Sequence, residues 1–298
     1  MNKKILTCIV SIGILYLFFT VDVFALKQPI DSPAPIWNGI IKALIKDGEN
    51  PKYIKKLFSS PLVHFDPRAL PRKLTHKEVM VEYKKFYRLK RINRAKNWMV
   101  KHKKLLFKIY KKYGVPPQII TAILLVETDL GRHIGRVSAF NMLASMAATK
   151  NFKLVLKYIP KKDLKHIDLR RLKHFARVKS SWAYNELKCL IDYAKMNDLN
   201  PLKIKGSIFG AIGLCQFMPS NAIKFGVDED KDGKVNLFDV DDAVASMANY
   251  LKYFGWQNNL NKRKKLKVIL QYNYSRPYAK TILDIANQLK SATYLANR

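Results

Sequence analysis

Apolar residues recur every three or four positions along most of the chain from residue 75 onward. This spacing is typical of helices that bury one face and expose the other. Strict alternation of apolar and polar residues, which would indicate strands, is nearly absent. The pattern therefore predicts a mainly α fold, and its clearest example among the lysines is the set Trp98, Leu105, Leu106, Ile109 and Tyr110.

The N-terminus has the pattern of a secretion signal. Lys3 and Lys4 precede an apolar run over residues 5–19, and small residues follow near Ala25. This order predicts a signal peptide over residues 1–25 and an exported protein. The run is shorter than the ~20 apolar residues of a membrane-spanning helix. An uncleaved anchor that associates with the membrane through residues 5–21 is the alternative.

The remaining chain divides by composition. Residues 26–95 are rich in proline and contain a helical pattern over 36–57, so they are expected to wrap around the main domain. Residues 96–298 are expected to form that domain. Within it, residues 151–180 are strongly basic and are interpreted as a surface insertion.

One segment carries a candidate catalytic acid. A helix is predicted to begin at Pro117, to be apolar on every face and therefore buried, and to stop at Gly131. Glu127 falls in its last turn, where burial and the negative end of the helix dipole both favour a protonated carboxyl group. A general acid has this protonation state. The alternative is that Glu127 forms an ion pair with Arg132 or Arg136.

A second segment, residues 206–220, combines glycine with small polar groups. Gly206, Gly210 and Gly213 permit close backbone approach, while Ser207 and Gln216 offer neutral hydrogen bonds that suit sugar hydroxyl and acetamide groups. Phosphate-binding glycine loops, the serine hydrolase elbow and the zinc protease motif are all absent from the sequence.

A third segment, residues 228–239, matches a calcium loop of the EF-hand type. Oxygen ligands fall at the expected positions, and a glycine occupies position six. Position twelve is aspartate instead of the usual glutamate. The pattern predicts structural Ca²⁺ bound by Asp228, Asp230, Asp232, the carbonyl group of Lys234, and Asp239.

These segments together resemble one family, the lytic murein transglycosylases of the membrane-bound B type. The matching stretches lie in order between roughly residues 80 and 290, and are residues 113–117, 126–128, 206–220, 228–239, 249–256 and 272–279. The resemblance implies a lysozyme-like α-helical fold with Glu127 as the catalytic acid and base. It also implies that the saccharide groove is lined by Ser207, Gln216, Tyr250, Tyr272 and Asn273.

The implied reaction cleaves the β-1,4 bond between N-acetylmuramic acid and N-acetylglucosamine in peptidoglycan and leaves 1,6-anhydro ends. Most glycosidases use two carboxyl groups about 5 to 9.5 Å apart. Here only Glu127 has a suitable setting, because Asp129 lies two positions later and is expected to point away from it. The acetamide group of the substrate would then take the role of the second carboxylate.

The charge balance limits the partners. Lys and Arg number 55 against 22 Asp and Glu, giving a net charge of +33. This excess indicates an anionic partner or a compositional bias. The expected partner is the peptidoglycan strand, in the periplasm or cell envelope of a bacterium, and the protein is expected to be a monomer that does not bind nucleic acid. A hydrolytic muramidase and a non-enzymatic protein that binds the cell wall or a polyanion are the alternatives.

Overall fold

The structure is a computed structural model that describes residues 34–66, 69, 83–156 and 168–295. Most of these residues are helical, which confirms the predicted mainly α fold. The α-helices are α1 Asn38–Lys46, α2 Pro51–Phe58, α3 Leu89–Lys101, α4 Lys103–Tyr113, α5 Pro117–Thr128, α6 Ala139–Ala148, α7 Phe152–Leu156, α8 Leu169–Met196, α9 Pro219–Phe225, α10 Val240–Tyr253, α11 Lys262–Tyr272 and α12 Arg276–Leu295. Short 3-10 helices cover Pro35–Trp37, Lys84–Tyr87 and Pro201–Lys203.

The strands are short and lie beside the helix core. Strand β1 (Val137–Ser138) pairs antiparallel with β2 (Lys205–Gly206), and the register places Val137 opposite Gly206. Further bridges join Gly206 to Ile212 and Ile212 to Phe217. The glycine-rich segment is thereby folded back on itself and fixed to the chain that leaves α5.

Helix α5 forms the centre of the core. It begins at Pro117, and Ile120, Ile123 and Leu124 are fully buried, which confirms the predicted buried helix. Its neighbours include α3 and α12. The preceding helix α4 ends at Tyr113, and its C-cap Gly114 has the left-handed conformation with a φ of +71°. Any side chain in the last turn of α5 is therefore positioned by surrounding helices.

The described part of residues 26–95 packs on the main helices. The predicted helical pattern over 36–57 is divided into α1 and α2, and the side chain of Asn50 caps α2 by accepting from the N–H of Tyr53 at 3.0 Å. Glu49 forms an ion pair with Lys195 of α8, and Asn141 of α6 donates to the carbonyl oxygen of Leu62 at 2.9 Å.

The predicted boundary between the N-terminal segment and the main domain, at residues 95 and 96, falls inside α3. Residues 169–180 of the basic stretch form the first turns of α8, while 157–167 lie outside the described residues. The predicted signal peptide, residues 1–25, also lies outside them. Within the described ranges, every helix is too short or too polar to cross a membrane.

Candidate active site

Glu127 lies half-buried in the last turn of α5 and is held by a tyrosine from α12. The hydroxyl group of Tyr278 donates a hydrogen bond of 2.6 Å to Oε1 of Glu127. Tyr278 is only 1% exposed. The pKa of Tyr278 is raised well above its usual range, mainly by burial and next by the negative charge of Glu127. The hydroxyl group therefore keeps its proton at neutral pH and remains a hydrogen-bond donor to Oε1 of Glu127.

The chain beyond Glu127 turns sharply. Asp129, Leu130 and Gly131 have φ values of 53°, 62° and 88°. The left-handed conformation is common at glycine and uncommon at other residues. Helix α5 ends at Thr128, and Asp129 is its C-cap. The predicted stop at Gly131 therefore lies two residues beyond the observed C-cap. Non-glycine residues hold such conformations only where surrounding contacts impose them, and they are frequent at functional sites.

Contacts from α3 hold Asp129 in this position. Its side chain is 7% exposed, and Oδ1 lies 2.6 Å from Nη2 of Arg94 and 3.7 Å from Nη1 of Arg91. Nδ1 of His133 lies 3.8 Å from Oδ2. The carboxylate of Asp129 is thus engaged by basic side chains of α3 and of the following turn, and its orientation away from Glu127 stays a prediction.

Thr128 links the end of α5 to the glycine-rich segment. Its Oγ1 donates to the carbonyl oxygen of Leu214 at 3.0 Å and accepts from the N–H of Gly131 at 3.1 Å. The N–H of Leu214 in turn donates to the carbonyl oxygen of Leu237 at 2.8 Å. A Cβ atom at Gly213 would lie 2.5 Å from that same carbonyl oxygen. The predicted close backbone approach is confirmed, and the approaching group is the chain's own backbone.

Ser207 and Gln216 both stabilise this segment. Oγ of Ser207 accepts from the N–H groups of Phe209 and Ala211 at 3.2 and 3.1 Å. Nε2 of Gln216 donates to the carbonyl oxygen of Gly213 at 2.9 Å. Both side chains are half-buried. Each has a structural role in the fold, and its use in substrate binding stays a prediction.

The predicted tyrosines form one aromatic cluster next to this segment. The ring centroids of Tyr250 and Tyr272 are 5.2 Å apart, and each ring also packs on Phe217. The hydroxyl group of Tyr272 donates to the carbonyl oxygen of Cys215 at 2.5 Å. Burial raises the pKa of Tyr272 well above its usual range, and the nearby charge of Glu127 contributes. Asn273, half-buried, caps α11 beside this cluster.

Tyr278 is a site residue that the sequence reasoning did not single out. It lies 151 positions from its partner Glu127, so no local pattern reveals the contact. The available signal was its place beside Ala279 in one of the matching stretches.

Three carboxylates meet at the acidic loop, two from predicted ligands and one from the first turn of α10. Oxygen atoms of Asp228, Asp230 and Asp242 lie within 4.8 Å of one another. Asp242 is fully buried, and its carboxylate accepts from the N–H groups of Glu229 and Asn236 at 2.8 and 2.7 Å. Asp242 therefore joins two of the predicted ligands, although the sequence pattern did not include it.

The other predicted ligands lie beside this cluster. Oδ1 of Asp239 accepts from the N–H of Asp241 at 2.8 Å and caps α10. Oδ1 of Asp232 accepts from the N–H of Lys234 at 2.8 Å. The calcium-ligand assignments of Asp232, Lys234 and Asp239 stay predictions.

The donor set of this loop suits a hard cation. Carboxylate oxygens are the preferred ligands of Ca²⁺. Burial raises the pKa of Asp242 above its usual range. Its carboxylate is thus unfavourably placed when no cation neutralises it, and the residues present fit Ca²⁺.

Glu229 fixes the same loop to α4. Its side chain is 2% exposed and lies 2.7 Å from Nζ of Lys108 and 2.8 Å from Nζ of Lys112. Burial alone would raise the pKa of Glu229, but the two lysines outweigh it and the pKa is lowered. Glu229 therefore remains ionised, and it docks the loop while the other acidic side chains face one another.

The contact between Tyr278 and Glu127 gives a first testable prediction. Tyr278→Phe should keep the buried ring and the fold but remove the donor to the carboxylate. Hydrogen bonds to charged groups contribute about 1.5 to 3 kcal/mol, so any reaction in which Glu127 transfers a proton should lose about 10- to 100-fold in kcat with little change in KM. Tyr87→Phe, which removes an exposed hydroxyl donor to Asp284, is the matched control. Equal kcat values in the two variants would contradict a catalytic role for the contact.

Comparison with known proteins identifies a family that covers most of the chain. Residues 34–267 match the family described as the transglycosylase SLT domain. Membrane-bound lytic murein transglycosylase B of Escherichia coli (strain K12) is 35% identical over 151 residues, which cover 51% of this chain and 35% of that protein. The chain thus spans about a third of the length of this relative.

Solved structures show the same fold. The Escherichia coli lytic transglycosylase Slt35 in complex with calcium superposes with a TM-score of 0.72 at 20% identity, over 89% of this chain and 98% of that one. SltB3 from Pseudomonas aeruginosa, in complex with NAG-anhNAM-pentapeptide, gives 0.69 at 18% identity, over 85% and 78%. The expected lysozyme-like helical fold is confirmed. Since the family match extends over most of the chain, the protein belongs to the transglycosylase SLT domain family.

Proposed function

We propose that this protein is a lytic transglycosylase that cleaves the β-1,4 bond between N-acetylmuramic acid and N-acetylglucosamine and forms 1,6-anhydro ends. One observation carries the proposal. At the end of α5, Glu127 is oriented by the hydroxyl group of Tyr278, while the neighbouring acid Asp129 is held by Arg94. The site thus presents one oriented carboxyl group, and family membership supplies the substrate class.

In the proposed reaction, Glu127 acts twice. Its protonated carboxyl group first gives a proton to the glycosidic oxygen, and the bond to C1 breaks as the substrate acetamide stabilises the positive charge. The resulting carboxylate then takes the proton of the C6 hydroxyl group, whose oxygen closes onto C1. Water is not consumed, and Glu127 ends protonated as it began. Tyr278 holds the carboxyl group in place through both transfers.

The proposed setting is the cell envelope. A homologous structure contains a NAG-anhNAM-pentapeptide, and the curated relative is named a membrane-bound enzyme. These findings support an exported protein whose partner is the peptidoglycan strand. We further propose that it acts as a monomer, that residues 5–21 mediate any membrane association, and that nucleic acid is not a ligand.

Digestion of purified sacculi, with mass spectrometry of the soluble products, tests this function. The proposal predicts fragments that end in 1,6-anhydro-N-acetylmuramic acid. Reducing ends would identify a hydrolytic muramidase instead. Binding without release of fragments would identify a non-enzymatic cell-wall protein.

The loop over residues 228–239, completed by Asp242, is proposed to bind a structural Ca²⁺. The support is the cluster of three carboxylates and the calcium complex of Slt35. The loop is bonded to the active site through the Leu237–Leu214 and Leu214–Thr128 hydrogen bonds. The bound cation would therefore brace the backbone that surrounds Glu127, without taking part in the chemistry.

Calcium should accordingly raise thermal stability. A ligand that binds only the folded state stabilises it by about 2.7 kcal/mol at one hundred times its Kd, and Mg²⁺ should substitute poorly because it requires a smaller octahedral shell. The pKa of Asp242 is raised on folding, so its ionisation above that pKa costs stability, and calcium offsets this cost. Below that pKa, protons compete with the metal for the carboxylate oxygens. The stabilisation by calcium should therefore decrease as the pH falls towards the pKa of the carboxyl groups.

Calorimetric melting with calcium, magnesium or chelator, at neutral and acidic pH, measures these effects. Asp242→Asn should abolish the calcium response, while the exposed control Asp198→Asn should retain it. An unchanged wild-type Tm after chelation would contradict the calcium site.

A further inference from the structure

Tyr274 is the most exposed large apolar side chain in the described part of the chain, at 94%. Other exposed aromatic residues have partners. The ring of Tyr253 packs 5.0 Å from that of Phe225, and Nζ of Lys111 lies 4.6 Å from the centre of the Phe107 ring. Among the described residues, nothing contacts Tyr274 through a hydrogen bond or a ring. Because the ring of Tyr274 buries little apolar surface, it contributes little to the stability of the fold.

The backbone of Tyr274 is anchored on both sides by the active site. It lies in the short link between α11 and α12. On one side, Tyr272 is tied to the carbonyl oxygen of Cys215. On the other, Oγ of Ser275 accepts from the N–H of Tyr278 at 3.3 Å, and Tyr278 holds Glu127. The N–H of Ser275 also donates to the carbonyl oxygen of Asn273 at 2.7 Å, which closes the link into a tight turn.

Chain connectivity limits the distance of Tyr274 from the residues that surround Glu127. Consecutive Cα atoms are 3.8 Å apart, so the Cα of Tyr274 lies within about 8 Å of that of Tyr272 and within about 15 Å of that of Tyr278. An oligosaccharide bound at Glu127 has the length to reach it. The exposed ring is thus carried by a backbone segment that lies between two residues of the active site, Tyr272 and Tyr278.

We propose that Tyr274 is a stacking platform for one pyranose ring of the bound glycan strand, outside the ring that reacts at Glu127. This inference rests on the proposed function. A pyranose presents one face lined with C–H groups, and an exposed tyrosine ring offers the apolar surface that this face requires. Because tyrosine has few rotatable bonds, ordering it on binding costs little. The contact adds affinity for the strand and leaves the bond-breaking step unchanged.

Binding without turnover tests the proposal. In a Glu127→Gln background, the Kd for β-1,4-linked oligomers of N-acetylglucosamine, from dimer to hexamer, is measured by calorimetry. Aromatic stacking contributes modestly, so Tyr274→Ala should raise the Kd for the hexamer about 3- to 10-fold and leave the Kd of the dimer nearly unchanged. Tyr274→Phe, which keeps the ring, should bind like its parent. Phe107→Ala, which removes an exposed ring from α4, is the control.

Kinetics separate this inference from the proposed function. With Glu127 restored, Tyr274→Ala should raise KM for soluble peptidoglycan fragments and keep kcat, as loss of uniform binding does. An unchanged hexamer Kd in Tyr274→Ala, or an equal loss in Tyr274→Phe, would overturn the stacking platform alone. If the wild-type protein forms no anhydro ends, the proposed function fails, and a selective loss of hexamer binding in Tyr274→Ala would still support the platform.

Discussion

Replacing Glu127 with glutamine is expected to lower peptidoglycan cleavage by ~10² to 10⁴ and to leave the fold intact. The amide has nearly the same shape as the carboxyl group, and its oxygen can still accept from the hydroxyl group of Tyr278, which donates at 2.6 Å in the wild type. What is lost is the proton that Glu127 gives to the glycosidic oxygen and later recovers. Release of soluble fragments from sacculi measures the loss, and the Tm should remain unchanged.

The control for this variant is another change from carboxylate to amide. Asp198→Asn removes a charge from a side chain that is 81% exposed and lies 3.1 Å from Nζ of Lys234, so it should keep full activity. Retention of more than about a tenth of wild-type turnover by Glu127→Gln would fall outside the range expected for a general acid and would remove Glu127 from its assigned role.

Replacing Arg94 with alanine should produce a large loss of stability. Arg94 lies 2.6 Å from the buried carboxylate of Asp129, and removing one partner of a buried ion pair costs about 3 to 5 kcal/mol. Arg91, at 3.7 Å, should keep the effect at the lower end. Because Asp129 holds the left-handed turn directly after Glu127 and Thr128, activity should fall as well. Denaturant unfolding measures the stability loss.

Two further variants assign that loss to the ion pair. Arg170→Ala removes an arginine whose side chain is 97% exposed at the start of α8 and should change stability by less than about 0.5 kcal/mol. The double variant Arg94→Ala/Asp129→Asn removes the uncompensated charge and should be more stable than Arg94→Ala alone. A double variant that is less stable than the single one would show that Arg94 stabilises the fold through packing.

The buried helix and its acid were accessible from the sequence because their causes are local. A proline start and an apolar run determine α5, and Glu127 follows from its place at the end of that run. The glycines of this segment predicted a close backbone approach. They did not identify the group that approaches Gly213, the carbonyl group of Leu237, because it lies in a different loop. Local pattern thus predicts an element and its burial, but not what it touches.

The features that the sequence missed depend on contacts between distant segments. Tyr278 joins Glu127 from the last helix. Asp242 enters the acidic cluster because α10 turns its first residues towards the loop, so no pattern within residues 228–239 reveals it. Asp239 caps the same helix, and its role as a calcium ligand stays a prediction. The end of α5 at Thr128 depends on contacts that hold Asp129 in a conformation which its own preferences disfavour.

The origin of the oxygen at the newly formed sugar end tests the central claim most directly. Sacculi are digested by the wild-type protein in water enriched in the heavy oxygen isotope, and the ends are analysed by mass spectrometry. If Glu127 transfers the proton of the C6 hydroxyl group as proposed, the new ends are 1,6-anhydro sugars that contain no heavy oxygen. New reducing ends that carry the heavy isotope at C1 would contradict the account, since they would show that water attacks C1.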